Sequence, residues 1–354
     1  MIYTYDSERK LFLQPNKYNK NTSKEFLQFA VGGLMYCPAT NKKIAKDIIL
    51  KRRKELHSIC LCLEDAIGDD MVEQAEKCLK ETLSEIVTSI NDNKVSIDEI
   101  PLIFIRVRKP SQIKKLFDMC GKELFSVVCG FSLPKFDKTN CLNYLDSFNN
   151  INSKVNSSLY IMPIIESKNV MYKQNRMDQL SYLNEQLFKV SDNILNMRVG
   201  ATDFCNIFGI RRNVNNTIYD MKVISDCLAD IVNVFGRNYV ISGPVWEYFA
   251  SNGVPGKWSN GLKRELELDK INGFIGKTCI HPSQLKYINE SNIVSYEQYQ
   301  DASSILGMSN GIVGVAKGAI NDKMNEVKTH TTWAKKVIGL SFIYGVEDKH
   351  NILK

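Results

Sequence analysis

The sequence predicts an α/β protein whose parallel strands close on themselves, and three observations carry that expectation. Eight short apolar runs alternate with amphipathic helical stretches between residues 33 and 280, the rhythm of repeated strand–helix units. Several runs end in a charged residue, which an apolar strand does not tolerate without a partner. No Gly-x-Gly-x-x-Gly follows the first run, which reads Cys37-Pro-Ala-Thr, so an open doubly wound sheet is the weaker reading. Together they predict a (β/α)8 TIM barrel over residues 32–290. An N-terminal extension (1–31) precedes it, and a C-terminal helical lid or oligomerisation arm (291–354) follows.

The elements follow in order. Ser23–Phe29 is a short helix inside a polar, aromatic-bearing start. Gly33–Cys37 is the first strand, stopped by Pro38, and Asn41–Leu56 is a helix with Ile44, Ile48 and Ile49 on one face. Ser58–Glu64 is the second strand, before the long amphipathic helix Asp69–Asn91. Leu102–Arg106 and Val127–Lys135 are the third and fourth strands, with helices at Ser111–Cys120 and Thr139–Phe148. Leu159–Glu166 is the fifth strand, followed by a helix over Met177–Lys189. The sixth starts at Ile194 and ends in Gly200, three residues before Asp203. Thr217–Phe235 is a helix, Tyr239–Ser242 a short seventh strand, Leu262–Ile271 a helix and Gly273–Ile280 the eighth strand. Beyond it, Pro282–Asn289, Tyr296–Gly307 and Val327–Tyr344 read as helices, with a small, Gly-rich, turn-forming stretch at Gly311–Gly318.

Composition narrows the function. The 354 residues carry 46 Lys and Arg against 39 Asp and Glu, a net charge of +7, scattered along the whole chain. No basic block interleaved with aromatics marks a nucleic-acid surface, and a small anionic substrate suits the mild positive bias better. No apolar run approaches the roughly 20 residues of a membrane span. The ten cysteines form no Cys-x-x-Cys pair, and the start resembles no secretory signal, so reduced thiols in a cytoplasmic protein are expected. The four histidines are not spaced as zinc ligands.

In such a barrel the chemistry lies at the C-terminal strand ends, which here supply Glu64, Asp65, Arg106, Lys135, Glu166, Asp203, Lys277 and His281. Bland roles exist for several. Asp65 could cap the next helix, Arg106 could pair with Glu64 or Asp65, Lys135 could be a solvated loop residue, and His281-Pro could begin a helix. Glu166 and Asp203 each follow a strand core directly. Two carboxylates without His or Cys suit Mg²⁺, or Mn²⁺, with water and substrate oxygens completing the sphere. With Arg106 beside them, that is a site for making or breaking a carbon–carbon bond next to a carbonyl.

At these residues the chain resembles the citrate lyase beta-subunit-like and malyl-coenzyme A lyase superfamily. The matching segments are Leu-Cys-Leu-Glu-Asp-Ala (61–66), Phe-Ile-Arg-Val-Arg (104–108), Leu-Pro-Lys (133–135), Pro-Ile-Ile-Glu-Ser (163–167), Val-Gly-Ala-Thr-Asp-Phe (199–204) and Gly-Phe-Ile-Gly-Lys-Thr-Cys-Ile-His-Pro-Ser-Gln (273–284). Within it, Gly33-Leu-Met-Tyr-Cys-Pro-Ala, Phe208-Gly-Ile-Arg-Arg, Gly243-Pro-Val-Trp-Glu-Tyr-Phe and Met324-Asn-Glu-Val-Lys-Thr-His-Thr-Thr-Trp-Ala resemble the carbon–carbon lyase branch associated with tellurium-resistance gene clusters.

The resemblance implies Mg²⁺ on Glu166 and Asp203 and a 2-oxo-acid carboxylate and carbonyl on the metal. It implies Arg106 on the oxyanion, with Glu64 or Asp65 orienting it. It also implies Ala201, Thr202, Lys135 and His281 around the substrate, and a homotrimer or hexamer in which the C-terminal arm covers a neighbour's site. Where relatives place an acid/base Asp two residues after the arm's Met, this chain has Asn325 and Glu326 after Met324. Glu326 is therefore the candidate, with Asp322 the second choice. The first loop, Cys37-Pro-Ala-Thr-Asn41, departs from the basic, Pro-Gly-containing loop of relatives, which puts a coenzyme A thioester substrate in question. Arg211 and Arg212 could hold a phosphate or another anion instead.

The expected activity is Claisen- or aldol-type cleavage or condensation of a hydroxy acid or its thioester. The competitors are a thioester hydrolase or synthase on the same site, and a catalytically reduced barrel serving as an assembly subunit.

Overall fold

Parallel strands in the order the chain supplies them build the centre of the molecule. They are β1 (Gly33–Pro38), β2 (Ser58–Cys62), β3 (Leu102–Arg106), β4 (Val128–Leu133), β5 (Tyr160–Ile165), β6 (Met197–Val199), β7 (Ile241–Ser242) and β8 (Lys277–Cys279). Each pairs in parallel with the one before it from β2 to β7, and β8 lies beside β1. A parallel bridge between Gly243 and Lys277 joins β7 to β8, with Ile275 N donating to Ile241 O at 2.8 Å and Thr278 N to Gly243 O at 3.2 Å. The ring therefore closes, and the chain is a (β/α)8 barrel. This computed structural model describes residues 1–5, 9–155, 158–308, 314–319 and 324–349.

Two apolar cores divide the strand residues by face. Outward residues such as Ile59, Leu61, Ile103, Ile105, Phe131 and Leu133 pack under the surrounding helices. Inward residues at the lower strand ends, among them Leu34, Cys60, Phe104, Met162 and Ile275, belong to a second cluster. That cluster also contains Tyr3, Tyr18, Leu27 and Phe29 from the start of the chain, and Ala334, Val337, Leu340, Ile343 and Tyr344 from the final helix, Val327–Tyr344. The two chain ends thus meet beneath the barrel and fill its floor. Tyr344 donates to Phe29 O at 2.8 Å, and Tyr18 bonds His57 Nδ1 at 2.9 Å. Burial pushes His57 down to about 3, so it is a neutral ring in the floor. All ten cysteines are free and buried, as small core hydrophobes.

Several boundaries differ from the sequence expectation, each for a local reason. The helix after β1 covers only Ile44–Ile49. Lys51 turns to φ +50°, and Asp47 draws Arg52 back at 3.1 Å, while Lys51-Arg-Arg-Lys54 brings no apolar residue to bury. The helix read as Ser111–Cys120 runs Pro110–Phe125 with a break at Gly121, φ +72°. Asp203 lies on the first turn of a helix, Ala201–Ile207, and not in an open loop; seven residues are too few to show a helical period. In the Gly-rich stretch, Val315–Lys317 pairs antiparallel with Met324–Glu326, and Asn325 anchors this hairpin through Asp301 at 2.9 Å. Asp322 lies outside the described residues.

A test of the floor follows from Gly339 on the last helix. A Cβ there would stand 2.3 Å from Cε2 of the buried Phe29. Gly339→Val should lower unfolding stability in urea by about 2 kcal/mol; an unchanged midpoint would show that the last helix does not seal the barrel floor.

Candidate active site

The β–α order brings the ends of β2 to β6 to one rim, so residues far apart in sequence meet there. Glu64 and Asp65 follow β2, Arg106 ends β3, Lys135 follows β4, Glu166 follows β5 and Asp203 lies just beyond β6. Arg106 is the hub. Its Nη2 lies 2.9 Å from Glu64 Oε2, 3.0 Å from Asp65 Oδ2 and 3.0 Å from Glu166 Oε1, and its Cζ sits 5.6 Å from the centre of the Tyr36 ring. Lys135 Nζ donates to Glu64 Oε1 at 2.5 Å and approaches Asp65 Oδ1 at 3.3 Å. Lys135 also takes the left-handed φ of +50°, which aims its backbone N–H at Glu166 Oε1, 2.9 Å away.

Glu166 is held from both sides. Oε1 receives Arg106 and the Lys135 amide, while Oε2 lies against Gly200, where a Cβ would come within 2.2 Å of it. Only glycine permits that approach, which accounts for the glycine in Val-Gly-Ala-Thr-Asp. The Asp203 carboxyl is within hydrogen-bond reach of Glu166. Behind them, Asp137 accepts from Ser167 Oγ at 2.6 Å and Asn169 Nδ2 at 3.0 Å, fixing the turn that follows Glu166. The sequence reading missed Asp137 and Tyr36. Asp137 carried a signal in the cluster of Asp137, Thr139 and Asn140; Tyr36 inside a strand carried none.

The charges do not balance within the cluster. Four carboxylates (Glu64, Asp65, Glu166, Asp203) face two cations, Arg106 and Lys135, leaving two negative charges over. Burial pushes Glu166 up to about 7, against the pull of Arg106 and with Asp203 adding to the rise. Asp203 is also raised, by burial first, against the pull of Lys135 and with Asp65 adding to it. Asp65 is lowered, because Arg106, a Glu64 bond and Lys135 outweigh its burial. Negative charge is therefore least favourable on Glu166 and Asp203. Among the described residues no group of three or more His, Cys, Asp or Glu is placed to hold a metal. Two neighbouring carboxyls whose charged forms lack enough cationic partners still fit a divalent cation that keeps water in most positions, as Mg²⁺ does.

The other predicted residues fall outside this knot. Ala201 and Thr202 open the first turn beside Glu166 and Asp203. His281 caps the 3-10 turn Pro282–Gln284 through Ser283 and stacks on Phe249 at 4.3 Å, so its helix-starting role is what the contacts show. Lys277 points away from the mouth, into a buried ion pair with Glu265 at 2.9 Å and Asp269 at 2.6 Å. Arg212 is taken up by Glu265 at 2.6 Å and Trp246, while Arg211 is exposed and bonds Glu247 at 3.1 Å. Glu326 is bonded by Thr329 at 3.3 Å, and its backbone N–H donates to His330. Among the described residues, no ion pair or hydrogen bond joins Glu326 to the acid cluster of its own chain.

Comparison with known proteins identifies the family. A family model for carbon–carbon bond lyases of the TIM-barrel fold matches residues 25–346. The chain belongs to that family. Its fold is similar to that of a citrate lyase from Burkholderia xenovorans LB400, at 12% identity and TM-score 0.62, covering 88% of this chain and 91% of that one. CitE from Mycobacterium tuberculosis, solved with magnesium, acetoacetate and coenzyme A, is 16% identical with TM-score 0.54, covering 89% and 99%. Malate synthase from Haloferax volcanii, solved with magnesium and glyoxylate, is 14% identical with TM-score 0.55, covering 73% and 74%. No curated protein matches the chain. Among the described residues, no helix is long and apolar enough to cross a membrane.

The raised acids give a pH prediction. Glu166 ordinarily titrates at 4.5 and in the fold at about 7. Folding therefore takes up a proton between those values, and the metal-free protein loses stability as pH rises through 7. Mg²⁺ competes with that proton, so its affinity should rise from pH 5.5 to pH 8. Glu166→Gln keeps an acceptor for Arg106 and removes the charge. It should hold or raise the melting temperature at pH 8 without Mg²⁺ while weakening Mg²⁺ by more than the ~10–100-fold of an outer-sphere change. A lower melting temperature with Mg²⁺ binding intact would make Glu166 a structural partner of Arg106 and nothing more.

Proposed function

We propose that this protein is a Mg²⁺-dependent lyase that breaks or forms the carbon–carbon bond beside a carbonyl in a small 2-oxo or hydroxy acid, free or as a thioester. The observation that carries the reading is the pair Glu166 and Asp203, neighbouring acids whose charged forms burial disfavours, next to a fixed guanidinium. Bound there, Mg²⁺, or Mn²⁺ in its place, would polarise the carbonyl oxygen of the acid. That relatives were solved with magnesium and small oxo acids supports the choice.

Arg106 is the group that meets the charge developing on the substrate oxygen. Glu64 and Asp65 converge with Glu166 on its Nη2, so its position does not depend on the substrate. Lys135 ties these acids together and positions Glu166 through its backbone. Ala201 and Thr202, at the head of their helix, offer amides to the acid's carboxylate. Arg211 and His281 lie farther out and would serve the distal part of a larger substrate, such as a coenzyme A thioester.

Carbon–carbon cleavage also needs a proton carrier, and the acids of the cluster are already engaged. Glu326 is the candidate. It heads the last helix without touching its own cluster, so it would act on the site of a neighbouring copy in a homotrimer or hexamer.

Arg106→Lys separates binding from chemistry. The variant should bind Mg²⁺ as the wild type does, and turn over the most tightly bound oxo or hydroxy acid about 100-fold more slowly or worse. Equal turnover in both proteins would leave Arg106 a purely structural ion pair. Glu326→Gln should abolish turnover without weakening Mg²⁺, and mixing it with an Arg106→Lys protein should restore part of the activity if the two residues come from different subunits.

A further inference from the structure

Four arginines are buried among the described residues, and three have carboxylate partners. Arg106 has three acids around it, Arg176 has Asp226 and Asp230 at 2.9 and 2.7 Å, and Arg212 has Glu265 and Glu247 at 2.6 and 3.4 Å. Arg198 is the exception. It is 1% exposed, makes no ion pair among the described residues, and its Nε and Nη1 have no hydrogen-bond partner. Its one bond runs from Nη2 to Thr278 Oγ1, at 2.7 Å. A guanidinium buried without an anion is costly, and protein interiors keep one only where something compensates it.

Its position says what that something is. Arg198 is the middle residue of β6, in register with Ile164 of β5 and Ser242 of β7. Its neighbours Met197 and Val199 pack outward under the helices, so Arg198 points into the barrel. The Tyr36 phenol and the Cys60 thiol lie in the fields of both Arg106 and Arg198, which places the two guanidiniums in one interior space. Tyr36 and Thr278 are partly exposed although their strands are otherwise buried up to the rim. Tyr36 and the Thr278 that Arg198 holds therefore keep some contact with solvent beside a buried guanidinium.

We propose that Arg198, between Tyr36 and Thr278, is the seat for a second carboxylate, so that the substrate is a dicarboxylic oxo or hydroxy acid. One end of the acid meets Glu166, Asp203 and Arg106 at the mouth. The other enters the barrel and takes the unmade N–H groups of Arg198, with the Tyr36 and Thr278 hydroxyls beside it. Selection by such a buried donor is steep, because a monocarboxylic acid leaves the guanidinium as unpaired as before. The inference rests on the lyase reading above and adds the substrate class to it.

The test is calorimetric titration of the Mg²⁺-loaded protein with pyruvate, oxaloacetate and 2-oxoglutarate, which differ in the second carboxylate and its reach. At least one of the two dicarboxylates should bind about tenfold or more tightly than pyruvate. Arg198→Met should erase that preference while leaving pyruvate and Mg²⁺ affinities as they were, and Arg198→Lys should keep part of it. A wild-type protein without the preference overturns the proposal even if no variant folds, and so does an Arg198→Met protein that retains it. If the Mg²⁺-loaded protein binds none of the three acids, the lyase reading falls together with the carboxylate seat. Equal binding of all three removes the seat alone.

Discussion

Everything at the mouth of this barrel depends on one guanidinium. Arg106 lies within 3.0 Å of three carboxylates from three different loops. Without it, Glu64, Asp65 and Glu166 would repel one another at a place where burial already penalises charge. With it, three of the acids are drawn together, and burial still disfavours charge on Glu166 and Asp203. Lys135 reinforces the arrangement twice, by its ammonium on Glu64 and by a left-handed backbone that gives Glu166 an amide. The cluster is preorganised before any ligand arrives, which is what electrostatic catalysis requires.

The rest of the fold serves to keep that rim still. Closure of the sheet leaves no edge that could shift, and the two chain ends occupy the floor, where Tyr3, Tyr18, His57 and Tyr344 form a neutral buried group. Wall and floor are apolar and closely packed, so the polar side chains of the interior stand out. Among the described residues, Arg106 is ringed by acids and Arg198 makes no ion pair.

Much of this was legible in the chain itself. Alternating apolar runs and helical stripes, with acids and bases at the strand ends, pointed to the barrel and to Arg106, Lys135, Glu166 and Asp203, because a charge that ends an apolar strand stands out against its neighbours. The spacing could not show the short helix carrying Asp203, nor the hairpin carrying Glu326, since neither is long enough for a period to develop. Lys277 also ends a strand run, yet it faces a helix and pairs with Glu265 and Asp269; face cannot be read from position alone in so short a strand. Arg198 stands in the middle of a strand, away from the charged strand ends. Its meaning depends on the absence of a partner, and only three-dimensional structure shows that.

The central claim is that Glu166 and Asp203 together hold a divalent cation at the mouth of the barrel. Anomalous scattering from a crystal of the protein soaked in Mn²⁺ tests it most directly, because Mn²⁺ accepts the same oxygen donors as Mg²⁺ and can be located unambiguously. The account predicts one Mn²⁺ bound by an oxygen of each of these two carboxylates, with water in the remaining positions. A cation seated instead between Glu64 and Asp65, or no cation on the rim at all, would contradict it.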